Sequence, residues 1–468
     1  MTSIPSAGYI IVGGGTAGLV LAARLAEDSE ARIAVLESGP DATSDPRIQN
    51  PLAFMTLPGS DLDWKSQYPG RINDRTLDHP AGKLLCGFSA INGLVLTPPS
   101  PAAIDVWAKL GNPNWNWETF KPYLEKSITT PGWSESGIIK FIQPALAWYN
   151  AHPEVGYAET SDFLGEEKTV GMRSFTATID PTSETRSSAD STYGAVARSR
   201  PNVTIVTEAT IRRILFTRED GGVKAFGVEV YREGSLTTVE ASKEVILAAG
   251  ALHTPKLLEL SGIGDKRRLE TLGISVVLHS PGVGEHLQNH PMAVMPVPLK
   301  DNPALATMQP GIGALAFTRL DVTDVIDESA KSACEQVTNS LLNSANEGSA
   351  YSIIGMYPDK FAMIADIEIL AGHVQAAQEL LTSPSLEQFA LAPPEPENTE
   401  TIKTKLREIM ASTAHHACGT AAMLPFNDGG VVDQDLKVYG TSNLRIVDAS
   451  VIPLVPHAKI MATVYAVA

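Results

Sequence analysis

The chain has 468 residues, 43% of them hydrophobic, and its 36 lysines and arginines are outnumbered by 53 acidic residues. This length is enough for two hydrophobic cores, and the formal net charge of −17 without a basic run argues against nucleic acid as a partner. Cys86, Cys334 and Cys418 are too widely spaced for a disulfide framework or a C-x-x-C metal site. The sequence has no eighteen-residue apolar run and no charged, apolar leader, so we expect a cytoplasmic protein without a membrane span.

The first elements follow the order strand, glycine turn, helix, strand. Residues 9–12 are an apolar run typical of a buried parallel strand, and "LVLAARLAED" after the turn has helical spacing. Gly13, Gly15 and Gly18 form a G-x-G-x-x-G fingerprint, in which backbone N–H groups approach a pyrophosphate at the helix N-terminus. Glu37 ends the next strand, 24 residues after Gly13, where a carboxylate accepts hydrogen bonds from an adenosine ribose. These features together predict a dinucleotide site rather than a merely glycine-rich turn.

The carboxylate of Glu37 disfavours the 2′-phosphate of NADP, but it does not distinguish NAD from FAD as the cofactor.

The middle of the chain predicts a β-meander. Residues 203–247 show alternating hydrophobicity with turn signals at "EDGG" and "REGS". They lead into "EVILAAGALHTP", a buried strand followed by a glycine turn and a helix, with Thr254 as the expected N-cap. Residues 295–410 give weaker signals, among them the amphipathic "IEILAGHVQAAQELL", and residues 430–468 carry strand-like "NLRIVDAS" and helix-like "IMATVYAVA".

The segment "HHACGTAAM", residues 415–423, brings two histidines and a cysteine close to a Gly-Thr pair. It is compatible with a metal site, a thiol–imidazole pair or a single base with neighbours. A metal site is disfavoured because no third ligand lies at ligand spacing. Histidine suits a general base because its ordinary pKa lies near neutral pH.

Three segments resemble the glucose-methanol-choline (GMC) family of flavin oxidoreductases. They are the first-signature loop "GKLLCGFSAINGLV" (82–95), "GALHTPKLLELSGIG" (250–264), and "HHACGTAAM" with "NLRIVDASVIPLVPHAKIMATVYAVA". The resemblance implies an α/β fold: an FAD-binding Rossmann-like domain with a parallel sheet and β-meander, and an α+β substrate domain built on an antiparallel sheet. It assigns the segments 1–127, 200–292 and 416–468 to the FAD-binding domain, and 128–199 and 293–415 to a shortened substrate domain.

The same resemblance implies FAD as cofactor, a small or aromatic alcohol as substrate, hydride transfer to flavin N5, and O2 or another electron acceptor. The residues assigned to the ADP half, besides the fingerprint, are Thr16, Ala17, Glu37 and Ser38, with the backbone of Ile211 against the adenine. The residues assigned to the flavin and its ribityl chain are Asn92, Gly93, Leu94, Val95, Asp448, Ala449, Ile460 and Met461. Taken singly, "AING" is equally compatible with an ordinary turn and "VDAS" with a helix N-cap.

His416 matches the catalytic base of the family, whereas His415 and Cys418 are expected to pack. The second catalytic position, usually histidine or asparagine, is Lys459 here. A lysine there can donate a hydrogen bond to the alkoxide of the substrate. Alternatively, Lys459 points to solvent and His457 takes the polar role.

The first-signature loop also departs from the family, because Cys86 and Phe88 replace a glycine and a small hydroxyl residue. A side chain at the glycine position is expected to crowd the cofactor and weaken FAD binding. Three hypotheses follow: an alcohol dehydrogenase or oxidase, expected in secondary metabolism; a non-redox lyase or cyclase in which His416 is an acid or base; and a shortened, inactive relative without a stable cofactor.

Overall fold

The structure, a computed structural model, describes residues 4–68, 76–128, 143–159, 164, 166, 169–173, 176–219, 222–303, 311–320, 332–356, 360–367, 370–389 and 397–468. Its strands are β1 (Ala7–Val12), β2 (Ile33–Leu36), β3 (Ser66–Tyr68), β4 (Leu77–His79), β5 (Val95–Leu96), β6 (Gly171–Arg173), β7 (Thr176–Ala177), β8 (Val203–Val206), β9 (Thr210–Glu219), β10 (Gly222–Arg232), β11 (Ser235–Leu247), β12 (Ile263–Gly264), β13 (Leu278–His279), β14 (Pro291–Pro298), β15 (Gly311–Thr318), β16 (Ala350–Met356), β17 (Lys360–Ile367), β18 (Ala411–Thr413) and β19 (Leu444–Ile446). Its α-helices are α1 (Thr16–Leu25), α2 (Pro46–Gln49), α3 (Phe88–Ile91), α4 (Pro101–Lys109), α5 (Trp117–Ser127), α6 (Gln143–Glu154), α7 (Ala195–Arg198), α8 (Gly250–Leu260), α9 (Lys266–Thr271), α10 (Ala333–Asn343), α11 (Leu370–Leu381), α12 (Pro384–Glu387), α13 (Thr399–Lys405) and α14 (Ile460–Val467). Short 3₁₀ helices lie at Pro51–Thr56, Phe426–Asp428 and Ala449–Val451, and π-helical turns at Asp190–Gly194 and Leu406–Met410.

The first sheet has a parallel part, which contains the N-terminal strand β1, and an antiparallel part. Its parallel strands lie in the order β8-β2-β1-β11-β19. The apolar residues of β1 and β2 are almost all buried, as expected for strands of a parallel sheet. α1 connects the two strands, which confirms the predicted strand–turn–helix–strand unit.

The long strand β11 belongs to two kinds of sheet. Its first half pairs antiparallel with β10, which pairs antiparallel with β9, and its second half runs parallel to β1 and β19. The turn at "REGS" joins β10 to β11 through Glu233 (φ 50°) and Gly234 (φ 79°), two consecutive positive φ values typical of a type I′ hairpin. The expected combination of parallel sheet and β-meander is therefore confirmed. The "EDGG" turn falls partly on residues 220–221, outside the described residues.

The second sheet has six strands and is antiparallel throughout, in the order β18-β14-β17-β16-β15-β6. Trp148 of α6 and Leu381 of α11 lie in the apolar core beside it. Helix α11 confirms the amphipathic helix predicted in this region, and the sheet confirms the expected α+β architecture. The domain boundaries stay a prediction; β14 begins at Pro291, two residues before the expected boundary.

The edge strand β18 and its neighbour β14 in the second sheet frame the histidine segment. β14 starts directly after His290, and β18, which pairs with β14, ends at Thr413. The main chain of Ala414 donates to the carbonyl of His290 at 3.0 Å. The chain therefore leaves the antiparallel sheet just before His415 and His416, and it reaches the first sheet later, at β19.

The helix of the second signature starts earlier than the sequence suggests. α8 begins at Gly250 (φ 83°), so the prediction of Thr254 as N-cap is wrong. Thr254 is fully buried inside the helix, and its hydroxyl donates to a carboxylate oxygen of Asp448 at 2.6 Å. This hydrogen bond replaces the expected cap. Among the described residues, no helix is long and apolar enough to cross a membrane.

The three fingerprint glycines are needed for different physical reasons. Gly13 has a φ of 105°, and a Cβ there would lie 2.4 Å from the carbonyl oxygen of Ala248. A Cβ on Gly18 would lie 1.9 Å from the carbonyl oxygen of Gly13, between β1 and α1. At Gly15 the nearest atom to a Cβ is Cα of Gly87, at 4.0 Å. Gly13 and Gly18 therefore permit backbone packing, whereas Gly15 faces open space.

We predict that Gly18→Ala lowers the free energy of unfolding of the apoprotein by about 1–3 kcal/mol through overpacking. Gly15→Ala leaves it within about 0.5 kcal/mol of wild type, because the added methyl meets no atom. The same Gly15→Ala weakens FAD binding if the open side of the turn receives the pyrophosphate. Thermal unfolding without FAD and fluorescence titration with FAD measure the two effects. Equal destabilisation by both variants would contradict this division of roles.

Candidate active site at the carboxyl edge of the parallel sheet

The carboxyl ends of four neighbouring parallel strands meet at one edge of the first sheet. β1, β2, β11 and β19 are followed there by Gly13, Glu37, Ala248 and Val447, respectively. Ligands of open α/β sheets bind outside this edge, where the loops leave the strands. The predicted cofactor residues of these loops are thus brought together by the sheet itself.

Glu37 is held at this edge by backbone groups on both sides. Its carboxylate accepts N–H hydrogen bonds from Gly14 (2.8 Å) and Gly39 (2.7 Å), and its carbonyl accepts one from Ala209 (2.8 Å). Burial raises the pKa of Glu37 to about 7, although these hydrogen bonds favour the ionised form. Each oxygen keeps a second lone pair for a ligand hydroxyl. Ile211, the residue predicted against the adenine, follows Ala209 by two positions along the chain.

The turn before α1 has the shape that a bound diphosphate requires. Gly13, Gly15 and Thr16 remain partly accessible, whereas Ala17 and Gly18 are buried in the sheet–helix contact. A Cβ at Gly15 would occupy the open side of the turn, so glycine keeps this space available. The turn therefore fits the pyrophosphate of a dinucleotide at the N-terminus of α1. Ser38, also partly accessible, follows Glu37 at the same edge.

The first-signature loop packs directly on this turn. The N–H of Cys86 donates to the carbonyl of Gly14 at 2.7 Å, with Cys86 at a φ of 91°, where glycine is favoured. The Cys86 thiol is buried and lies 2.8 Å from the hydroxyl of Ser89. Phe88, the second departure from the family pattern, is 38% exposed and meets the ring of His79 edge-on. The protein thus accommodates both side chains, and the expected weakening of FAD binding stays a prediction.

The end of the first-signature loop meets the last helix. Asn92 donates through Nδ2 to the sulfur of Met461 at 2.9 Å, and its Oδ1 accepts the N–H of Leu94 at 2.9 Å. Gly93 follows Asn92 and is partly accessible, and Val95 begins the short strand β5. The N–H of Lys459, just before α14 and Ile460, donates to Thr97 at 3.0 Å. The residues predicted around the flavin from both segments therefore lie in one place.

Asp448 uses its side chain within the protein. The carboxylate accepts hydrogen bonds from the N–H groups of Gly250 (2.9 Å) and Ser450 (2.8 Å) and from the Thr254 hydroxyl. It caps the 3₁₀ helix that starts at Ala449, the alternative interpretation of "VDAS". Burial raises the pKa of Asp448. A contact of Asp448 with the cofactor must therefore come from its main chain, while Ala449 keeps partial access.

His416 is held by two neighbouring residues from the loop before β14. Asn289 Oδ1 accepts the N–H of His416 at 2.8 Å, and His290 Nδ1 lies 2.8 Å from His416 Nδ1. The two imidazole rings are almost perpendicular, at 87°, with centroids 5.1 Å apart. The sequence interpretation missed His290 and Asn289, because "LQNHPM" carries no local pattern that links it to a segment 126 residues away.

Burial and nearby positive charge keep His416 neutral. Burial is the largest cause that lowers its pKa well below the ordinary value, and the charge of Lys459 is next. Burial and Lys459 also lower the pKa of His415. His415, at a φ of 62°, turns its ring to His79, 5.5 Å away between centroids, rather than to His290. His416 is thus the histidine whose imidazole is oriented by a hydrogen bond between rings.

The structure distinguishes Lys459 from His457. His457 Nδ1 lies 3.4 Å from a carboxylate oxygen of Glu347, and its ring meets Phe317 edge-on. Lys459, in contrast, is near enough to act electrostatically on His416. Cys418 is fully buried, and burial raises its thiol pKa, so it is no thiolate nucleophile. Within the described ranges, no group of three or more His, Cys, Asp or Glu side chains could hold a metal ion.

Comparison with known proteins agrees with this arrangement. Residues 7–292 match the model of the N-terminal domain of GMC oxidoreductases, and residues 342–468 match that of the C-terminal domain. The chain belongs to the GMC oxidoreductase family.

The similarity of this GMC oxidoreductase to its relatives covers nearly its whole length. It is 30% identical to the GMC oxidoreductase family protein Mala s 12 of Malassezia sympodialis, covering 98% of this chain and 91% of that protein. It is 28% identical to the dehydrogenase xptC of Emericella nidulans, over 98% and 91% of the two chains. An FAD-dependent oxidoreductase from Chaetomium thermophilum has a similar structure, with a TM-score of 0.84, 26% identity and coverage of 99% and 97%. The match to Mala s 12 spans 568 aligned positions, so that relative carries insertions.

The cofactor of this GMC oxidoreductase is FAD. The residues that fit its ADP half are the fingerprint turn and Glu37, and those that fit the flavin are Asn92 and Met461. When bound, FAD accepts the hydride that an oxidised donor loses. The protein supplies the orientation of the donor and a group that holds its proton.

We predict that His290, as a hydrogen-bond acceptor, fixes the tautomer of His416. His416 can accept a proton at Nε2 only if its Nδ1 carries hydrogen and donates to His290. His290→Leu removes the acceptor, so the proton moves to Nε2, whereas His290→Gln retains an acceptor and the Nδ1–H tautomer. ¹⁵N NMR of histidine-labelled apoprotein reports both tautomers, with His416→Gln identifying the resonance. An Nε2–H tautomer in the wild-type protein would contradict this assignment.

Proposed function

We propose that this protein oxidises the CH–OH group of a small or aromatic alcohol, with FAD as hydride acceptor and His416 as the base. Hydride leaves carbon readily only if the hydroxyl proton is taken up at the same time. His416 suits this task because its lowered pKa keeps the imidazole unprotonated before the donor arrives. The observation that carries the proposal is the 2.8 Å contact between Nδ1 of His416 and Nδ1 of His290, since it engages Nδ1 and makes Nε2 the ring nitrogen that we assign to the donor.

Lys459 has a second part in the proposed reaction. Its charge disfavours a proton on His416 and favours a negative charge on the donor oxygen. A lysine replaces the neutral amide or imidazole of the family here, so it stabilises the developing alkoxide more strongly but makes the base weaker. We therefore propose that Lys459 shares the activation of the hydroxyl group with His416. Its main chain is fixed for this by Thr97.

The two alternatives to a redox enzyme predict different observable results. A non-redox lyase or cyclase needs His416 as acid or base but leaves FAD oxidised while product forms. A relative without a stable cofactor gives a protein that stays colourless with excess FAD. The fit of the fingerprint turn and Glu37 to the ADP half supports the flavoprotein, and alcohol-dependent bleaching under nitrogen tests the redox reaction.

We predict that His416→Gln lowers the rate of anaerobic flavin reduction by about 10²–10⁴-fold while FAD stays bound. The matched control is His415→Asn, because asparagine tolerates the positive φ of this position and His415 faces His79 instead. The control should retain most of the rate. Stopped-flow absorbance with a panel of alcohols measures both variants. An unchanged rate in His416→Gln would show that another group is the base.

We predict that Lys459→Met moves the acid limb of the pH profile of kcat/KM to higher pH. Removing the cation raises the pKa of His416, so the neutral base is lost at a higher pH as the solution is acidified. Lys459→Arg keeps the charge and the position of the limb. Lys256→Met is the control, because Lys256 lowers the pKa of His253 and is not among the groups that lower that of His416. A limb that does not move in Lys459→Met would place the lysine too far from His416 to act.

A further inference from the structure

Arg186 is a buried cation whose hydrogen-bond acceptors are all uncharged. Its side chain is enclosed by protein, with the residue only 3% exposed. Nε donates to the carbonyl of Ile48 at 3.2 Å, and Nη1 donates to the carbonyl and to Oδ1 of Asn92, both at 2.9 Å. A longer contact of 3.4 Å joins Nη1 to the carbonyl of Ser89. The guanidinium thus holds the end of α3 and the residue that follows it.

The other end of the guanidinium faces a cavity. Nη2 is buried and makes no hydrogen bond within the described part of the chain. Arg186 lines a cavity of about 80 Å³ together with Cys86 and Asp190. The Asp190 carboxylate already accepts hydrogen bonds from Arg198 and Thr43. Across the described residues, no ion pair of Arg186 is present, so its charge is not balanced by a carboxylate.

An unbalanced buried charge is energetically unfavourable. Burial lowers the pKa of Arg186 to about 10, so the side chain still carries its positive charge at neutral pH. The effective penalty for burying an ion is several kcal/mol, and carbonyl acceptors alone offset only part of it. A buried cation that is retained at this cost indicates a role of Arg186 other than stabilising the fold.

Arg186 also determines which way the Asn92 amide points. Asn92 Oδ1 accepts two hydrogen bonds, from Arg186 Nη1 and from the N–H of Leu94, each at 2.9 Å. The amide nitrogen is therefore turned the other way, toward the sulfur of Met461 at 2.9 Å. A thioether is a weak acceptor, so Nδ2 keeps the capacity to donate to a ligand. Asn92 and Met461 are both partly accessible at the predicted flavin site.

We propose that Arg186 is a positioning residue that orients Asn92 as a hydrogen-bond donor to the flavin. Arg186 consequently strengthens FAD binding without touching the donor. This inference rests on FAD as the cofactor and not on the identity of the alcohol. Its test therefore succeeds or fails independently of whether any alcohol reduces the flavin.

The test is the affinity of the apoprotein for FAD, measured by quenching of flavin fluorescence, together with thermal unfolding with and without FAD. Arg186→Met keeps the length and packing of the side chain but removes the charge and the donors. We expect FAD Kd to rise at least tenfold, while the unfolding midpoint of the apoprotein stays equal or rises because the unbalanced charge is gone. Arg186→Lys, which keeps the charge, should recover part of the affinity. The surface control Arg213→Met should change neither quantity.

A double-variant cycle shows whether Arg186 acts through Asn92. In an Asn92→Ala background, Arg186→Met should weaken FAD binding clearly less than in the wild-type background. An unchanged FAD Kd in Arg186→Met, or a loss of affinity that is the same in both backgrounds, would overturn the proposal. If Arg186→Met does not fold, Arg186→Gln and Arg186→Lys provide the same comparison, and equal affinity of both with wild type would overturn it as well.

Discussion

The double pairing of β11, antiparallel to β10 in its first half and parallel to β1 and β19 in its second half, is the constraint on which the site depends. The second half of this strand lies between β1 and β19, so the fingerprint turn and the loop that carries Asp448 leave the sheet on either side of Ala248. The backbone of Gly13 can pack against the carbonyl of Ala248 only because glycine has no Cβ. Asp448 then fastens the start of α8 to its own loop through Gly250 and Thr254. The cofactor edge is thus set by main-chain packing before any functional side chain is placed.

The candidate active site combines buried histidines with nearby cations. Burial lowers the pKa of His79, His415 and His416, whereas Arg186 keeps its charge at neutral pH, and Lys459 lowers the pKa of both His415 and His416. Such a site offers a proton acceptor and positive potential together, which suits an anionic cofactor and a donor oxygen that becomes negative. The two properties oppose each other at His416, because the positive charge of Lys459 lowers the pKa of the proposed base.

The sequence predicted those parts of the molecule that local pattern determines. The strand–turn–helix unit, the meander and α11 were predicted because alternation, apolar runs and glycine turns act over a few residues. The antiparallel sheet, in contrast, was expected only from the resemblance to the GMC family. Contacts between distant segments carry no such pattern: His290 meets His416, and Arg186 meets Asn92, only after both sheets have formed. The N-cap prediction for Thr254 failed because a tertiary hydrogen bond to Asp448 outweighed the local preference. The catalytic and cofactor roles of the predicted residues stay predictions, although the fold brings most of them to one edge.

The first-signature loop shows how such distant contacts stabilise an unfavourable backbone. Cys86 and Leu94 both have positive φ values, 91° and 68°, although neither is glycine. A backbone of this kind persists where neighbouring groups determine it, and here Gly14 accepts the Cys86 N–H while Asn92 Oδ1 accepts the Leu94 N–H. Arg186 in turn holds Asn92. Contacts at the cofactor edge therefore offset the backbone strain of the loop. The loop has its binding conformation before the ligand binds, so less conformational entropy is lost on binding.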